Sequence, residues 1–195
     1  YFDPCTALYQ PGSVFKIAVA AAALEEGLVD LNTVFSCTGE KDRLVPCWNM
    51  AGHGKITFEQ AFAHSCNPVF AQLGMKLGAE KIIEYARLLG LDNQFIVGYP
   101  VPVDERQDLN KIAEPFNLSS CSVGQGPLLV TPVQIAAMTN TLLTGGLYQA
   151  PSLVKEIRDN NGNSEQLGKP EAVRVLSPDT AQALCSLLES VTRYG

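Results

Sequence analysis

The 195-residue sequence lacks an apolar run that approaches the length of about 18 residues needed to span a bilayer. Its least polar stretch, residues 17–24, covers only about two helical turns. Charged residues are also scarce, at 17% of the chain against about a quarter in typical soluble domains. The formal net charge of −6 argues against a general nucleic-acid-binding surface, and the 46% hydrophobic content argues against a disordered tail.

Metal-ligand motifs are missing as well. There are two histidines, His53 and His64, without the helical H-x-x-x-H spacing, and no two of the six cysteines form a Cys-x-x-Cys pair. Zinc sites usually show such paired spacing, so we expect no metal and no cofactor. Cys37 and Cys47 flank a short polar segment and either close it as a disulfide or stay as small thiols. Composition alone leaves the redox compartment open.

Helical patterns dominate what is present. Capping residues, an Asn-Pro and a Thr-Pro start signal and terminal glycines predict helices over residues 13–26, 58–64, 68–78, 79–90, 132–144 and 178–193. Residues 28–56 are expected to be irregular with at most a short strand, and residues 91–126 mostly loop. Asn161-Gly162 after a polar-apolar alternation predicts a hairpin. We therefore expect a mainly α chain with one small β-hairpin.

The first segment with chemical potential is Tyr9-Gln-Pro-Gly-Ser13-Val-Phe-Lys16. Ser13 is predicted at the start of a helix, where free backbone N–H groups and the positive end of the helix dipole lie. Lys16 follows three residues later and returns to the same face. A partly desolvated lysine there can accept the hydroxyl proton and make the serine nucleophilic. Without further evidence, a simple cap beside a solvated lysine explains the spacing equally well.

The second segment is Ser65-Cys66-Asn67, between two predicted helices. Its hydroxyl could pass a proton to a leaving amine, and its amide could hold a substrate carbonyl or N–H group. Asn67 could also serve only as the cap of the next helix.

Taken together, about 50 residues apart, these segments resemble the penicillin-binding protein transpeptidase domains, whose motifs are Ser-x-x-Lys, a second serine motif ending in Asn, and Lys-Thr-Gly. The resemblance includes PGSVFK around Ser13, GHGKITFEQAFAHSCNPVFAQL through the second motif, and SVGQGPLLVTPVQIAAM further on. It covers most of residues 9–145, is weaker over 150–195, and is closest to the monofunctional class B enzymes of elongation, division or sporulation. It implies the helical subdomain of the penicillin-binding protein/β-lactamase-like transpeptidase fold, with the central-sheet strands largely missing.

The resemblance implies a peptidoglycan D,D-transpeptidase that is inhibited by β-lactams. Ser13 would attack the penultimate D-Ala carbonyl of a stem peptide and form an acyl-enzyme, with Lys16 as general base. Ser65 would shuttle the proton to the departing amine, and Asn67 would orient the peptide or a β-lactam. The backbone N–H of Ser13 would be one oxyanion donor.

One motif of the family is absent, because no Lys-Thr-Gly occurs and Lys155 and Lys169 lie in other contexts. The resemblance therefore implies that residues 1–195 are an internal fragment of one transpeptidase domain, from the Ser-x-x-Lys helix to the helix before the Lys-Thr-Gly strand. Without the carboxylate clamp and the second oxyanion donor of that motif, we expect the isolated chain to acylate very slowly or not at all.

The resemblance also implies a location on the outer face of the bacterial cytoplasmic membrane, through an N-terminal anchor outside these residues. Expected partners are D-Ala-D-Ala stem peptides, β-lactams and elongasome or divisome proteins. That compartment favours the Cys37–Cys47 disulfide. Cys66 is expected to act sterically rather than as a nucleophile.

Two alternatives stay open at this point. A serine β-lactamase or D,D-carboxypeptidase would pass the acyl group to water, although the PGSVFK extension and the Gly-Gln-Gly segment argue against it. A β-lactam sensor or a non-catalytic divisome scaffold would keep the fold without turnover. The joint presence of Ser13, Lys16, Ser65 and Asn67 argues against a scaffold.

Overall fold

The computed structural model describes residues 3–92, 108–166 and 168–195. Its α-helices are α1 (Lys16–Glu25), α2 (Phe58–Ala63), α3 (Asn67–Leu88), α4 (Asn117–Cys121), α5 (Pro132–Leu143) and α6 (Pro178–Tyr194). Its strands are β1 (Val34–Cys37), β2 (Gly54–Thr57), β3 (Leu147–Tyr148), β4 (Glu156–Arg158), β5 (Ser164–Gln166) and β6 (Val173–Arg174). Three 3-10 turns cover Gly12–Phe15, Gly39–Lys41 and Leu109–Ala113.

Helix α1 is the centre of the core. Its residues from Lys16 to Ala23 are all buried, and it packs against both α3 and α6. A run of alanines favours the helix because alanine loses no side-chain entropy there. Its small side chains also let the flanking helices approach closely. The first residue of this buried helix is the lysine of the Ser-x-x-Lys motif.

The expected fold class, mainly α with a small β-hairpin, is confirmed. Strands β4 and β5 pair antiparallel across the Asn161-Gly162 turn, as the sequence predicts. Two further antiparallel pairs also form, β1 with β2 and β3 with β6. Because of the first of these pairs, residues 28–56 hold more strand than expected. These strands are two to four residues long, which leaves too little alternation for a sequence pattern to reveal.

The predicted boundaries hold in part. Element α3 consists of two helices that meet at a break at Gly78, whose φ is 79°, so the boundary expected between the helices over residues 68–78 and 79–90 is confirmed. The expected loop over residues 91–126 contains the turn Leu109–Ala113 and helix α4, while residues 93–107 lie outside the described part of the chain.

The N-cap predicted at Asn67 was wrong, whereas Ser13 lies at the predicted helix start. Ser13 belongs to the 3-10 turn that leads directly into α1 at Lys16. Asn67 is the first residue of α3, and Cys66 occupies the N-cap position without a side-chain cap bond. The Oδ1 atom of Asn67 instead accepts a hydrogen bond from Lys16. Both motifs therefore direct their polar atoms to a tertiary contact rather than to their own helix.

Within the described ranges, no helix has both the length and the apolar content to cross a bilayer.

Candidate active site

Ser13 and Lys16 adjoin at the start of the buried helix α1. The 3-10 turn that carries Ser13 leads directly into α1, so three residues of tight helix bring the Lys16 side chain back toward the serine. Lys16 Nζ lies 3.3 Å from Ser13 Oγ. Ser13 is exposed, whereas Lys16 is only 2% exposed. The hydroxyl thus faces solvent while the amine behind it is shielded.

The second motif lies at the junction of α2 and α3. A capping box of Thr57 and Gln60 begins α2, and the chain then turns sharply so that α3 can start at Asn67. The turn requires a positive φ of 51° at Ser65, a conformation that disfavours side chains with a Cβ atom. This strained junction directs the Ser65 hydroxyl and the Asn67 amide toward Lys16.

Lys16 Nζ is the centre of the hydrogen-bond network. It lies 2.8 Å from Ser65 Oγ, 2.8 Å from the Ser65 carbonyl oxygen and 2.7 Å from Asn67 Oδ1. The Ser65 hydroxyl donates to Ser13 Oγ over 2.7 Å. The four residues that the sequence singles out, Ser13, Lys16, Ser65 and Asn67, are therefore brought together.

The environment of Lys16 favours its neutral form. Burial lowers the pKa of Lys16 to about 8, and the charges of Cys66 and Cys47 oppose this shift only in part. None of the ion pairs formed among the described residues includes Lys16. The Phe70 ring lies 5.3 Å from Nζ on the side of α3. A substantial fraction of the amine is consequently unprotonated near pH 8 and can accept a proton.

A third segment packs against the nucleophile turn. The backbone N–H of Gly12 donates to the Gly124 carbonyl at 3.0 Å, and Gln10 Nε2 donates to the Gly126 carbonyl at 2.8 Å. A Cβ atom at Gly124 would lie 1.7 Å from the Gly12 carbonyl oxygen, so only glycine fits there. The SVGQG stretch that the sequence indicates therefore contacts the turn beside Ser13.

A cavity of about 220 Å³ opens next to the two hydroxyls. Apolar side chains form much of its lining. They come from the turn and helix that carry Ser13 and Lys16, from α2 and from α6: Val14, Ile17, Phe62, Ala63, Leu188 and Val191. The cavity could receive a small acyl donor against Ser13.

The expected disulfide between Cys37 and Cys47 is not formed, and both residues are free thiols. They share a polar cluster with His53 and Cys66, in which one side-chain ligand atom from each residue lies within 4.8 Å of the others. The sequence motifs did not indicate this grouping of possible metal ligands, because the fold gathers residues from separate segments. The same clustering places Cys66 beside other thiols, and its expected steric role stays a prediction.

The thiols of the cluster influence one another. Burial opposes ionisation of Cys37, but backbone N–H groups of His53 and Gly39 and the thiols of Cys66 and Cys47 donate to it and bring its pKa below the usual value. Burial raises the pKa of Cys66, and burial likewise raises the pKa of Cys47.

Sequence reasoning missed two features near the site. Phe70 lies three residues after Asn67 on α3, and this helical spacing could have placed its ring on the face toward Lys16. The cluster of Cys37, Cys47, His53 and Cys66 had no comparable signal, because its members have irregular spacings in the chain.

Comparisons with known proteins agree with this geometry. The model of the penicillin binding protein transpeptidase domain matches residues 2–195. Stage V sporulation protein D of Bacillus subtilis is 32% identical over 98% of the chain, and peptidoglycan D,D-transpeptidase PbpA of Mycolicibacterium smegmatis is 30% identical over 95%. The chain spans 30% and 40% of the length of these two relatives.

Solved structures show the same fold. Penicillin-binding protein A of M. tuberculosis, as a ceftriaxone acyl-enzyme complex, superposes with a TM-score of 0.81 at 26% identity over 96% of this chain and 43% of that chain. The D,D-transpeptidase domain of a peptidoglycan glycosyltransferase from Eggerthella lenta gives 0.82 at 27% identity over 97% of this chain and 50% of that chain. The chain belongs to the penicillin-binding protein transpeptidase domain family.

Proposed function

We propose that these residues carry the nucleophile-bearing part of a peptidoglycan D,D-transpeptidase that works through an acyl-serine intermediate. The observation that carries the proposal is the burial of Lys16 Nζ, without a carboxylate in its hydrogen-bond network, within 3.3 Å of Ser13 Oγ, Ser65 Oγ and Asn67 Oδ1. A lysine that only stabilised the fold would be expected to pair with an acidic group or reach solvent. This amine instead faces two hydroxyls, one of them exposed.

The acylation step follows from the distances. When neutral Lys16 accepts a proton, Ser13 Oγ attacks the penultimate D-Ala carbonyl of the donor peptide, and the tetrahedral oxyanion forms beside the backbone N–H of Ser13. The proton can pass directly over 3.3 Å, or through Ser65 over 2.7 Å and then 2.8 Å. Protonated Lys16 is then held by Ser65 and Asn67.

The leaving group requires that proton back. As the tetrahedral intermediate collapses, the C–N bond breaks and the terminal D-Ala amine takes a proton from Ser65, which is replenished by Lys16. The Ser13 ester remains. The amine of a second stem peptide then attacks this ester, gives its proton to the same pair and restores the Ser13 hydroxyl. Asn67 would hold the donor backbone during both steps.

The location and partners belong to the same proposal. A D-Ala-D-Ala stem peptide is found outside the cytoplasmic membrane, so we place this domain on that outer face, with β-lactams as mimics of the donor. Docking to elongasome or divisome proteins is part of the proposal only for the parent protein, meaning the whole gene product that contains these residues.

A fluorescent penicillin tests the proposal. In the parent protein, one label per molecule should form on the peptide that contains Ser13, and Ser13→Ala should abolish it. Ser164→Ala is the matched control, since Ser164 lies exposed on β5. We expect the 195-residue chain alone to label very slowly, because its sequence contains no Lys-Thr-Gly. Rapid labelling of that chain, or labelling of Ser13→Ala, would contradict these assignments.

Product analysis decides between acceptors. With a stem pentapeptide donor and an amine acceptor, a transpeptidase yields the peptide-to-amine product. A β-lactamase or D,D-carboxypeptidase yields only the hydrolysed acid. A sensor would form the Ser13 adduct without turnover of either kind.

A further inference from the structure

A compact group of soft ligands lies behind the second serine motif. It consists of the Sγ atoms of Cys37, Cys47 and Cys66 and one ring nitrogen of His53, each within 4.8 Å of the others. The three cysteines are buried free thiols, and His53 is half-buried. We propose that Cys37, Cys47, His53 and Cys66 bind one zinc ion in a structural site.

The distances match a tetrahedral ion. Zn–S bonds of about 2.3 Å and a Zn–N bond of about 2.0 Å separate sulfur from nitrogen by about 3.5 Å and sulfur from sulfur by about 3.8 Å. His53 Nδ1 lies 3.6 Å from Cys37 Sγ and 3.4 Å from Cys47 Sγ. Three thiolates and one imidazole form a closed ligand set that zinc prefers in structural sites.

The histidine ring is already oriented for this role. Trp48 contacts its edge, His64 stacks on it, and Nδ1 faces the two sulfurs. Its Nε2 is the one buried side-chain nitrogen or oxygen in the described part of the chain without a hydrogen-bond partner. The ring orientation is thus set by packing, and Nδ1 faces the cluster.

The surrounding loop is also preformed. Residues 38–53 fold back on themselves through backbone bonds from Cys47 to Gly39 and from Glu40 to Met50. A Cβ atom at Gly52 would lie 2.5 Å from the Cys37 carbonyl oxygen, so the loop closes tightly against the end of β1. Three separate parts of the chain, namely β1, this loop and the N-cap of α3, therefore meet at the cluster.

Zinc binding would exchange protons for metal. Each thiol that ligates zinc loses its proton to solvent, and His53 binds as the neutral imidazole, so that the occupied site carries a net charge of −1. No bond is oxidised or reduced in this step. The site requires that no two of its cysteines join as a disulfide.

The location of Cys66 gives the zinc a positioning role. Cys66 lies between Ser65 and Asn67, both of which contact Lys16, and Asn67 Nδ2 also reaches the Pro46 carbonyl beside Cys47 at 3.5 Å. A zinc ion bound to Cys66 would hold the strained junction of α2 and α3 in place. This role rests on the proposed function, whereas the zinc site itself does not.

Metal analysis of the tag-free 195-residue chain tests the site. Purified from zinc-supplemented cells, it should contain about one zinc per chain, and cobalt added to the zinc-depleted chain should give thiolate charge-transfer bands and the intense visible bands of a tetrahedral site. Less than a stoichiometric amount of zinc together with no such cobalt spectrum would overturn the proposal. So would another metal at full occupancy, or a disulfide among Cys37, Cys47 and Cys66 in freshly isolated protein.

Variants sharpen the test. His53→Ala should weaken zinc binding by more than the roughly 10–100-fold that loss of an outer-shell partner costs. Because loss of a structural metal can unfold the chain, His53→Cys is included, and it should keep the zinc as a four-cysteine site. Cys185→Ser is the matched control, since Cys185 lies on α6 outside the cluster. Equal zinc contents in His53→Ala and Cys185→Ser would contradict the assignment.

Penicillin labelling separates the zinc site from the proposed function. In the parent protein, removal of zinc should slow labelling of Ser13, and restored zinc should recover it. If the protein holds zinc but Ser13 is never labelled, the proposed function fails and the metal site stands. If Ser13 is labelled at the same rate with and without bound zinc, the positioning role fails.

Discussion

The hydroxyl of Ser65 lies 2.7 Å from the hydroxyl of Ser13, closer than the buried amine that both of them face. The donor and acceptor belong to different helical junctions, 52 positions apart in the chain. When the hydroxyl hydrogens reorient so that Ser13 donates, this contact gives the nucleophile two proton acceptors in series, Ser65 and then Lys16. It predicts that the second motif contributes to acylation as well as to protonation of the leaving amine.

Ser65→Gly should slow acylation while leaving the fold intact. Removal of the hydroxyl breaks the relay through Ser65, whose two steps of 2.7 Å and 2.8 Å are each shorter than the direct 3.3 Å contact. The labelling rate of the parent protein should therefore fall by roughly 10²–10⁴. Glycine also relieves the positive φ of 51° at this position. Ser65→Gly should therefore be more stable than Ser65→Ala by about 1 kcal/mol in urea unfolding of the 195-residue chain. An unchanged labelling rate would show that Lys16 takes the proton directly.

The labelling rate should depend on pH through Lys16. The neutral amine is the active form, and its pKa is lowered to about 8 by burial. The rate in the parent protein should therefore rise with pH by about tenfold per unit below that value and level off above it. Stopped-flow acylation with a chromogenic β-lactam measures this profile.

Lys16→Arg is the variant that checks the assignment of this pKa. Arginine keeps the positive charge but stays protonated at all accessible pH values, so acylation should be lost across the whole range. A rate that still rises toward pH 8 in Lys16→Arg would assign the titration to another group.

Gly124→Ala should unfold or displace the nucleophile turn, whereas Gly126→Ala should not. Both glycines have a positive φ, 78° and 77°, so both substitutions pay about 1–2 kcal/mol for the backbone conformation. Only at Gly124 does the new methyl group meet the backbone of Gly12, at 1.7 Å, against 3.6 Å for the nearest atom at Gly126. Gly124→Ala should cost about 1–3 kcal/mol more in unfolding free energy. Equal costs in thermal or urea unfolding would mean that the two backbones separate easily.

Glu25→Gln should loosen helix α6 in a pH-dependent way. Glu25 Oε1 accepts the backbone N–H of Ser177, at the N-cap of α6, over 2.7 Å. Burial opposes ionisation of this carboxylate, but hydrogen bonds from Thr180 and Ser177 lower its pKa overall. The ionised Glu25 carboxylate therefore adds to the free energy of unfolding above the pKa that Glu25 has in the unfolded chain. This stabilisation is lost as the pH falls through the lower pKa of Glu25 in the folded chain.

At pH 7, Glu25→Gln should lower the unfolding free energy by about 1 kcal/mol relative to the unsubstituted 195-residue chain. This difference should shrink in acid. Urea titrations at neutral and acidic pH measure this change. Glu165→Gln on β5 is a control, because Glu165 is exposed and no hydrogen bond or ion pair involving its side chain is described. A difference that grows in acid would contradict the sign of the shift.

The helical class could be predicted because it depends on local signals, whereas the members of the Ser13 network were indicated by the resemblance of two short motifs to a known family. Helix periodicity, the Thr57 and Thr131 caps and the short motif around Ser13 are each read within about one or two helical turns. The role of Asn67 was harder to read, since its side chain satisfies Lys16 instead of its own helix. The sequence does not distinguish an asparagine that caps its own helix from one that hydrogen-bonds a residue elsewhere in the fold.

The grouping of Cys37, Cys47, His53 and Cys66 could not be predicted in this way. Their irregular spacings become a cluster only after β1 pairs with β2 and the loop between the strands closes. The contact between Gly12 and Gly124 has the same origin, because the two glycines approach through tertiary folding. Long-range backbone contacts leave no periodic trace in the chain.

The backbone bond from Gly12 to Gly124 joins the turn before the nucleophile to a segment more than a hundred residues later. No side chain separates the two, so a shift of either backbone must move the other. An insertion or deletion between Ser122 and Val130 would therefore change the direction of the Ser13 hydroxyl without altering any residue of the Ser13–Lys16 or Ser65–Asn67 motif. Under the proposed function, resistance to a β-lactam would then arise by this remote route without a substitution in the network itself.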